Sequence, residues 1–234
     1  MLASGHVVNS LQPIEYELHF FDPEQEVERR AGSLPHWMQN GVVCFLTWRT
    51  WDSLPTEWAE NWVAARADWL RRQRIDIDDP NWKEQLNHLS IPLRAQFHRE
   101  FSARLEAQLD RCQGECVLRR PEFAEVVSQS FHHFDGQRYA LHDFVVMPNH
   151  VHLLVTFSSI DEMLSQCASW KRFTATSINR LLGQSGRFWQ PEAFDHLVRS
   201  EERFRRYREY IALNPVRAGL QRGEYIHYSR PLPE

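Results

Sequence analysis

Two histidines spaced by one residue, His150 and His152, lie in DFVVMPNHVHLLVTF (143–157), where β-branched and apolar residues flank a Pro-Asn pair. That composition predicts a short strand, a tight turn and a second strand starting at about His150. Alternate strand residues share a face, so the two imidazoles project together from Cα atoms about 7 Å apart. The spacing lets both converge on one metal ion. About sixty residues downstream, EERFRRYREYIALNPVRAGL reads as a helix carrying Tyr210 and Asn214 on one face, one turn apart. Taken singly, each pair has an ordinary reading: strand histidines are commonly structural, and a helix-end tyrosine with a following Asn is a core aromatic plus an amide cap. Set opposite each other they form a site, in which two imidazole nitrogens and an amide oxygen bind a divalent ion beside a phenol.

The elements that position these residues follow from pattern. Residues 1–40 read as an irregular N-terminal arm, with a short strand near Tyr16–Phe21. From Gly41, VVCFLTW has the composition of a central strand. Thr56 is a candidate N-cap for a helix in which Trp58, Trp62, Ala65 and Trp69 repeat at helical spacing. Residues 56–134 are helix-rich and amphipathic, with prolines 80, 92 and 121 near the start of successive pieces, where they are tolerated. Strands follow at about Arg138–Met147 and 150–157, then a helix from about Ile160 to Leu182 ended by Gly183 and Gly186. A short strand at about Phe194–Arg199 leads to a last helix from near Glu201 to about Asn214, limited by Pro215. Reduced to its core, the order is βαββαβ. The expected fold is α+β: a ferredoxin-like antiparallel sheet with helices on one face, a helical insertion at 56–134 and a further C-terminal helix. One domain is expected over 41–220, with 221–234 as a tail.

The chain has 234 residues, 42% hydrophobic and 25% charged, which suits one well-buried core with additions. No run approaches the length of a membrane span, and MLASGHVVNS lacks the layout of a signal peptide, so a cytoplasmic location is expected. Cys44, Cys112, Cys116 and Cys167 are too few and too scattered for a disulfide scaffold. Cys112 and Cys116, four apart, have no matching second pair to complete a metal site. The net charge of −4 is unevenly spread: residues 166–234 hold twelve Lys and Arg against seven Asp and Glu, leaving the preceding residues at about −9. A basic C-terminal third can steer a polyanion, although an arginine-rich helix is also an ordinary solvated face.

The segments VMPNHVHLL, FWQPEAFDHLVR and YIALNPVRAGL, in that order, resemble the REP-associated tyrosine transposases, relatives of the single-tyrosine insertion-sequence transposases in the His-hydrophobic-His (HUH) endonuclease superfamily. Upstream, LPHWMQNGVVCFLTWRTWDSLP resembles the approach to the first strand in longer members, and the likeness runs from about residue 34 to 220. The resemblance implies that His150 and His152 are metal ligands, Asn214 the third ligand, and Tyr210 the nucleophile on the catalytic C-terminal helix. It implies Mg²⁺ or Mn²⁺ as cofactor, although imidazoles also suit Zn²⁺. The implied partner is single-stranded DNA with a hairpin, cut at the hairpin flank to leave a 5′-phosphotyrosine and a free 3′-hydroxyl, by a monomer or homodimer and with no membrane involved. Candidate DNA contacts are Lys171, Arg172, Arg199, Arg203, Arg206 and Arg217, with Trp170, Phe188 and Trp189 as stacking platforms and His196 to orient a phosphate or the tyrosine. Solvated charge or buried aromatic is the competing reading of each.

Two other functions fit the same residues. A domesticated relative would bind a DNA or RNA hairpin without cutting it. A zinc hydrolase would need a general base, and Asp143 is the acid nearest the histidine triplet in sequence.

Overall fold

The computed structural model describes residues 17–30, 36–79, 81–191 and 194–232. Two short strands, β1 (Glu28–Arg30) and β2 (His36–Met38), pair as a ribbon ahead of β3 (Val43–Arg49). Helices α1 (Thr56–Arg72), α2 (Trp82–His88), α3 (Ile91–Phe97), α4 (Ala103–Leu109) and α5 (Pro121–His132) fill the long connection, with a π-helical turn joining α3 to α4. Strands β4 (Ala140–Val146) and β5 (His150–Thr156) come next, then α6 (Ile160–Leu182), β6 (Phe194–Leu197), α7 (Glu201–Arg217) and β7 (Ile226–Ser229).

All neighbours in the five-stranded sheet are antiparallel, in the order β6-β3-β5-β4-β7. Without the added edge strand β7, this is the strand order of a ferredoxin-like sandwich. The strand carrying the histidines is therefore the central one, bonded on both sides. Alternation along the strands gives the sheet two apolar faces. Cys44, Leu46, Trp48, Phe144, Val151 and Leu153 pack against α5 and α6 through Phe131, Ile160 and Trp170. The opposite face, with Val43, Phe45, Val145 and Leu154, is covered by α7 through Phe204 and Ile211. Both side chains are fully buried, each contributing about 1.5–3 kcal/mol by leaving water.

Helix ends match local chemistry. Ser159 and Ser200 cap α6 and α7 by accepting from the backbone N–H of Glu162 and Arg203. Gly183 ends α6 in the left-handed conformation, φ 66°. Helix α1 instead begins after Pro55, and Thr56 is its first residue rather than its cap. Pro215 lies inside α7, which runs to Arg217: a proline so near the end removes one hydrogen bond, and the Leu220 N–H still reaches the Pro215 carbonyl.

The segment 56–134 divides. Helix α5 is the sandwich's own first helix, whereas α1–α3 form a satellite around Trp69, Leu70, Trp82, Phe97 and Phe101, which α4 joins through Leu105 and Leu109 beside Trp58 and Trp62. Residues beyond 220, expected as a tail, supply β7 on the β4 edge. Of the expected strand at 16–21, Tyr16 lies outside the described residues and His19 makes an isolated bridge with Val42. Among the described residues no helix is long and apolar enough to cross a membrane.

Candidate active site

Strand β5 enters from a two-residue turn, Pro148-Asn149, closed by the Met147 N–H bonding the His150 carbonyl. His150 and His152 point to the α7 face with ring centroids 4.8 Å apart, and both are buried. Each ring is fixed through Nδ1. That of His150 meets Asn149 Oδ1 at 2.8 Å, which only the Nδ1–H tautomer satisfies, so Nε2 is left with its lone pair. That of His152 lies 2.7 Å from Oγ1 of Thr47, its cross-strand partner on β3. The His152 ring stacks on Phe45, and Phe45 on Tyr207.

Helix α7 brings Tyr210 and Asn214 onto this pair. The Tyr210 hydroxyl is 3.4 Å from His152 Nε2. Asn214 is completely buried, and its Nδ2 donates to Asp110 Oδ1 at 3.3 Å. Two of the buried polar atoms without hydrogen-bond partners among the described residues lie in this site: His150 Nε2 and Asn214 Oδ1. Leaving such atoms unpaired costs about 1–3 kcal/mol each, and a neutral imidazole nitrogen and an amide oxygen are both metal-ligand types. The residues present therefore fit a small divalent cation held by His150, His152 and Asn214. Among the described residues no cluster of three His, Cys, Asp or Glu could hold a metal, so a third ligand depends on the amide.

Electrostatics keep the set neutral. Burial pushes the His150 imidazole down to about 3; the Asn214 amide is close enough to oppose this weakly, though it makes no hydrogen bond with the ring. Burial and then His150 itself hold His152 well below the ordinary range. Burial, then the carboxyls of Glu106 and Asp110, push the Tyr210 phenol far up, against the pull of Arg217. Glu106 is pushed up to about 7, by burial first and Asp110 second. A cleft of about 230 Å³ opens beside the phenol, lined by Phe45, Glu106, Arg203, Arg206, Tyr207 and Tyr210.

The remaining residues expected at a DNA surface separate into groups. Arg203 and Arg206 line the cleft, Arg206 paired with Glu202, and the Arg217 guanidinium lies 5.5 Å from the Tyr210 ring centroid. Arg199 is exposed against Phe21, and His196, in register with Phe45, belongs to the same face. Lys171 and Arg172 stand on α6, across the sheet from Tyr210, and Lys171 donates to the carbonyls of Gln190 and Pro191. Trp189 corrects the expectation of a stacking platform: it is 6% exposed, its indole N–H donates to Thr174, and its ring packs edge-on against Trp48. Trp170 and Phe188 are buried in the same core. Asp143 is committed to Arg208 and Ser229, which removes it as a base for a hydrolase.

Glu106, Asp110, Thr47 and Asn149 were not among the expected site residues. A buried threonine in an apolar strand was a visible signal for Thr47, and the Glu106/Asp110 spacing of four was visible too, but nothing in the sequence says that α4 docks here.

No family model matches the chain. One curated protein, the REP-associated tyrosine transposase of Escherichia coli (strain K12), is 29% identical over 86 residues, 35% of this chain. The chain is similar in sequence to a REP-associated tyrosine transposase. The match spans 47%, about half, of that relative's length. A solved structure of a REP-associated tyrosine transposase bound to a REP hairpin overlays 78% of this chain and 72% of its own, at 16% identity and a TM-score of 0.39.

Proposed function

We propose that the chain is a metal-dependent single-stranded DNA endonuclease and strand transferase that acts on hairpin-forming repeats through a 5′-phosphotyrosine. The observation that carries this reading is the convergence of two orphaned buried ligand atoms, His150 Nε2 and Asn214 Oδ1, with His152 and the Tyr210 phenol.

In this reading His150, His152 and Asn214 hold Mg²⁺ or Mn²⁺, which when bound offsets the negative charge that builds on the phosphate oxygens. The ligands are neutral and add no charge of their own. Arg203, Arg206 and Arg217 draw the strand towards the cleft. Tyr210 stays protonated until attack. Its oxygen then bonds to phosphorus as the phenolic proton passes to solvent, and the bond to the 3′ oxygen breaks with that oxygen taking a proton from solvent. One phosphodiester replaces another, so the reverse attack rejoins ends with no nucleotide cofactor. Both halves of the site come from one chain, which supports action as a monomer.

The test is incubation of the full chain with a hairpin oligonucleotide carrying a single-stranded flank and Mn²⁺. A covalent protein–DNA species absent from Tyr210→Phe is expected, and an adduct that survives this substitution refutes the nucleophile. The alternative, a hairpin-binding protein that does not cut, is favoured by the burial of the phenol and then by the carboxyls of Glu106 and Asp110, which together oppose its ionisation. Tight binding with no adduct under either metal would select it.

A further inference from the structure

The α1–α4 satellite ends in a loop that bonds Asn214 directly and reaches His150 through Asn149. Asp110 Oδ1 accepts from Asn214 Nδ2. Three residues on, the Gln113 carbonyl accepts from Asn149 Nδ2 at 3.1 Å, and the other end of that amide fixes the His150 ring. The loop is itself anchored. The Leu118 N–H bonds the Pro148 carbonyl at 3.1 Å, and the Glu115 N–H bonds Asp52 Oδ2. Gly114, at φ 92°, passes so close that a Cβ there would meet Asp52 at 2.6 Å.

An amide has a donor end and an acceptor end, and its neighbours decide which points where. Turned the other way, Asn214 would press its oxygen against the Asp110 carboxyl and aim its NH₂ at the imidazoles, where it repels a cation. We propose that Asp110 is a positioning residue: it holds the Asn214 amide so that its oxygen faces His150 and His152, and the loop from Asp110 to Leu118 thereby makes the insertion part of the ligand framework. This rests on the metal-binding reading above. Gln113 serves His150 in the same way, by its backbone, through Asn149.

The test measures Mn²⁺ uptake by the purified full chain, from loss of the free-ion paramagnetic resonance signal, in wild type, Asp110→Asn, Asp110→Leu, Asp110→Ala and His150→Ala. Hairpin affinity in EDTA and melting temperature are read alongside. Asp110→Asn keeps an oxygen for Asn214 and is expected to stay within about threefold of wild type. Asp110→Leu keeps bulk without an acceptor and is expected to bind Mn²⁺ about 10–100-fold more weakly, the range for loss of such outer partners, with metal-free hairpin affinity no weaker than wild type. Asp110→Ala, which adds no bulk, must repeat the Leu result. If His150→Ala abolishes uptake while both Asp110→Leu and Asp110→Ala bind as wild type, or if Asp110→Asn is as weak as Asp110→Leu, the positioning role is overturned and the metal site stands. If wild type takes up no Mn²⁺, or His150→Ala takes it up undiminished, the metal reading falls and this proposal with it.

Discussion

The Tyr210 hydroxyl stands 3.4 Å from Nε2 of His152, across 58 residues of sequence, so the helix and the central strand share one site within one chain. Tyr207, one turn earlier, stacks on Phe45 instead. Tyr210→Phe is expected to abolish the covalent DNA adduct while hairpin affinity stays within about twofold, since a hydroxyl contributes little to polyanion binding dominated by phosphate contacts. Tyr207→Phe should retain the adduct. Denaturing gel mobility of labelled DNA reads both.

Thr47 is the only described partner of His152 Nδ1. Thr47→Val keeps the shape and removes the hydroxyl, so it should cost about 1–3 kcal/mol of stability for an unpaired buried ring nitrogen. It should also weaken Mn²⁺ binding by about tenfold or more. Urea titration and metal uptake measure the two separately.

Glu106 gives the cleft a charge that changes near neutrality. Its carboxyl is raised to about 7, so it is largely neutral below that pH and ionised above it. It shares its surroundings with Asp110, Arg203, Arg206, Arg217, Tyr207 and Tyr210. The negative charge that appears as pH rises opposes phosphate. Single-stranded DNA affinity is therefore expected to fall roughly threefold to fivefold from pH 6 to 8, about 0.7–1 kcal/mol of Coulomb energy in a wet cleft. Glu106→Gln should flatten the profile at the tighter end. Fluorescence anisotropy at fixed ionic strength decides it.

Helix α7 is tied to the sheet away from the site by Arg208, which bonds buried Asp143, Ser229 and the Arg230 carbonyl. Arg208→Ala leaves the Asp143 carboxyl without its cation and should destabilise the chain by about 3–5 kcal/mol. Asp143→Asn should cost less, because an amide needs no counter-charge. Chemical denaturation separates these outcomes.

Trp189→Ala should cost about 3–5 kcal/mol, as expected for a large core side chain, with little change in DNA affinity per folded molecule. A selective loss of affinity at unchanged stability would restore the stacking reading.

The histidine hairpin, α6 and the start of α7 were readable because each rests on local information: alternation, helical period, a glycine stop. The order of the four sandwich strands followed from the sequence of elements, whereas the β7 edge did not. What was not readable depends on long-range docking. Asp110 reaches Asn214 across 104 residues and Gln113 reaches Asn149 across 36, and no periodicity encodes such meetings. Trp189 shows the same limit from the other side, since an aromatic beside basic residues looks alike in sequence whether it faces a base or Trp48. Pro215 misled for a simpler reason: one lost bond in a final turn is too small a cost to end a helix already held by Ile211 and Phe204.

His150 and His152 stand on the strand bonded along both edges, whereas Tyr210 rides on a helix fastened chiefly by side chains. The two halves of the centre therefore loosen on different terms. Backbone amides under the imidazoles exchange with solvent only when the whole sheet comes apart, while the phenol can retreat through a slip of one helix that leaves the imidazoles in place. On the proposed function, a strand-transfer step would move the tyrosine and leave the imidazoles in place.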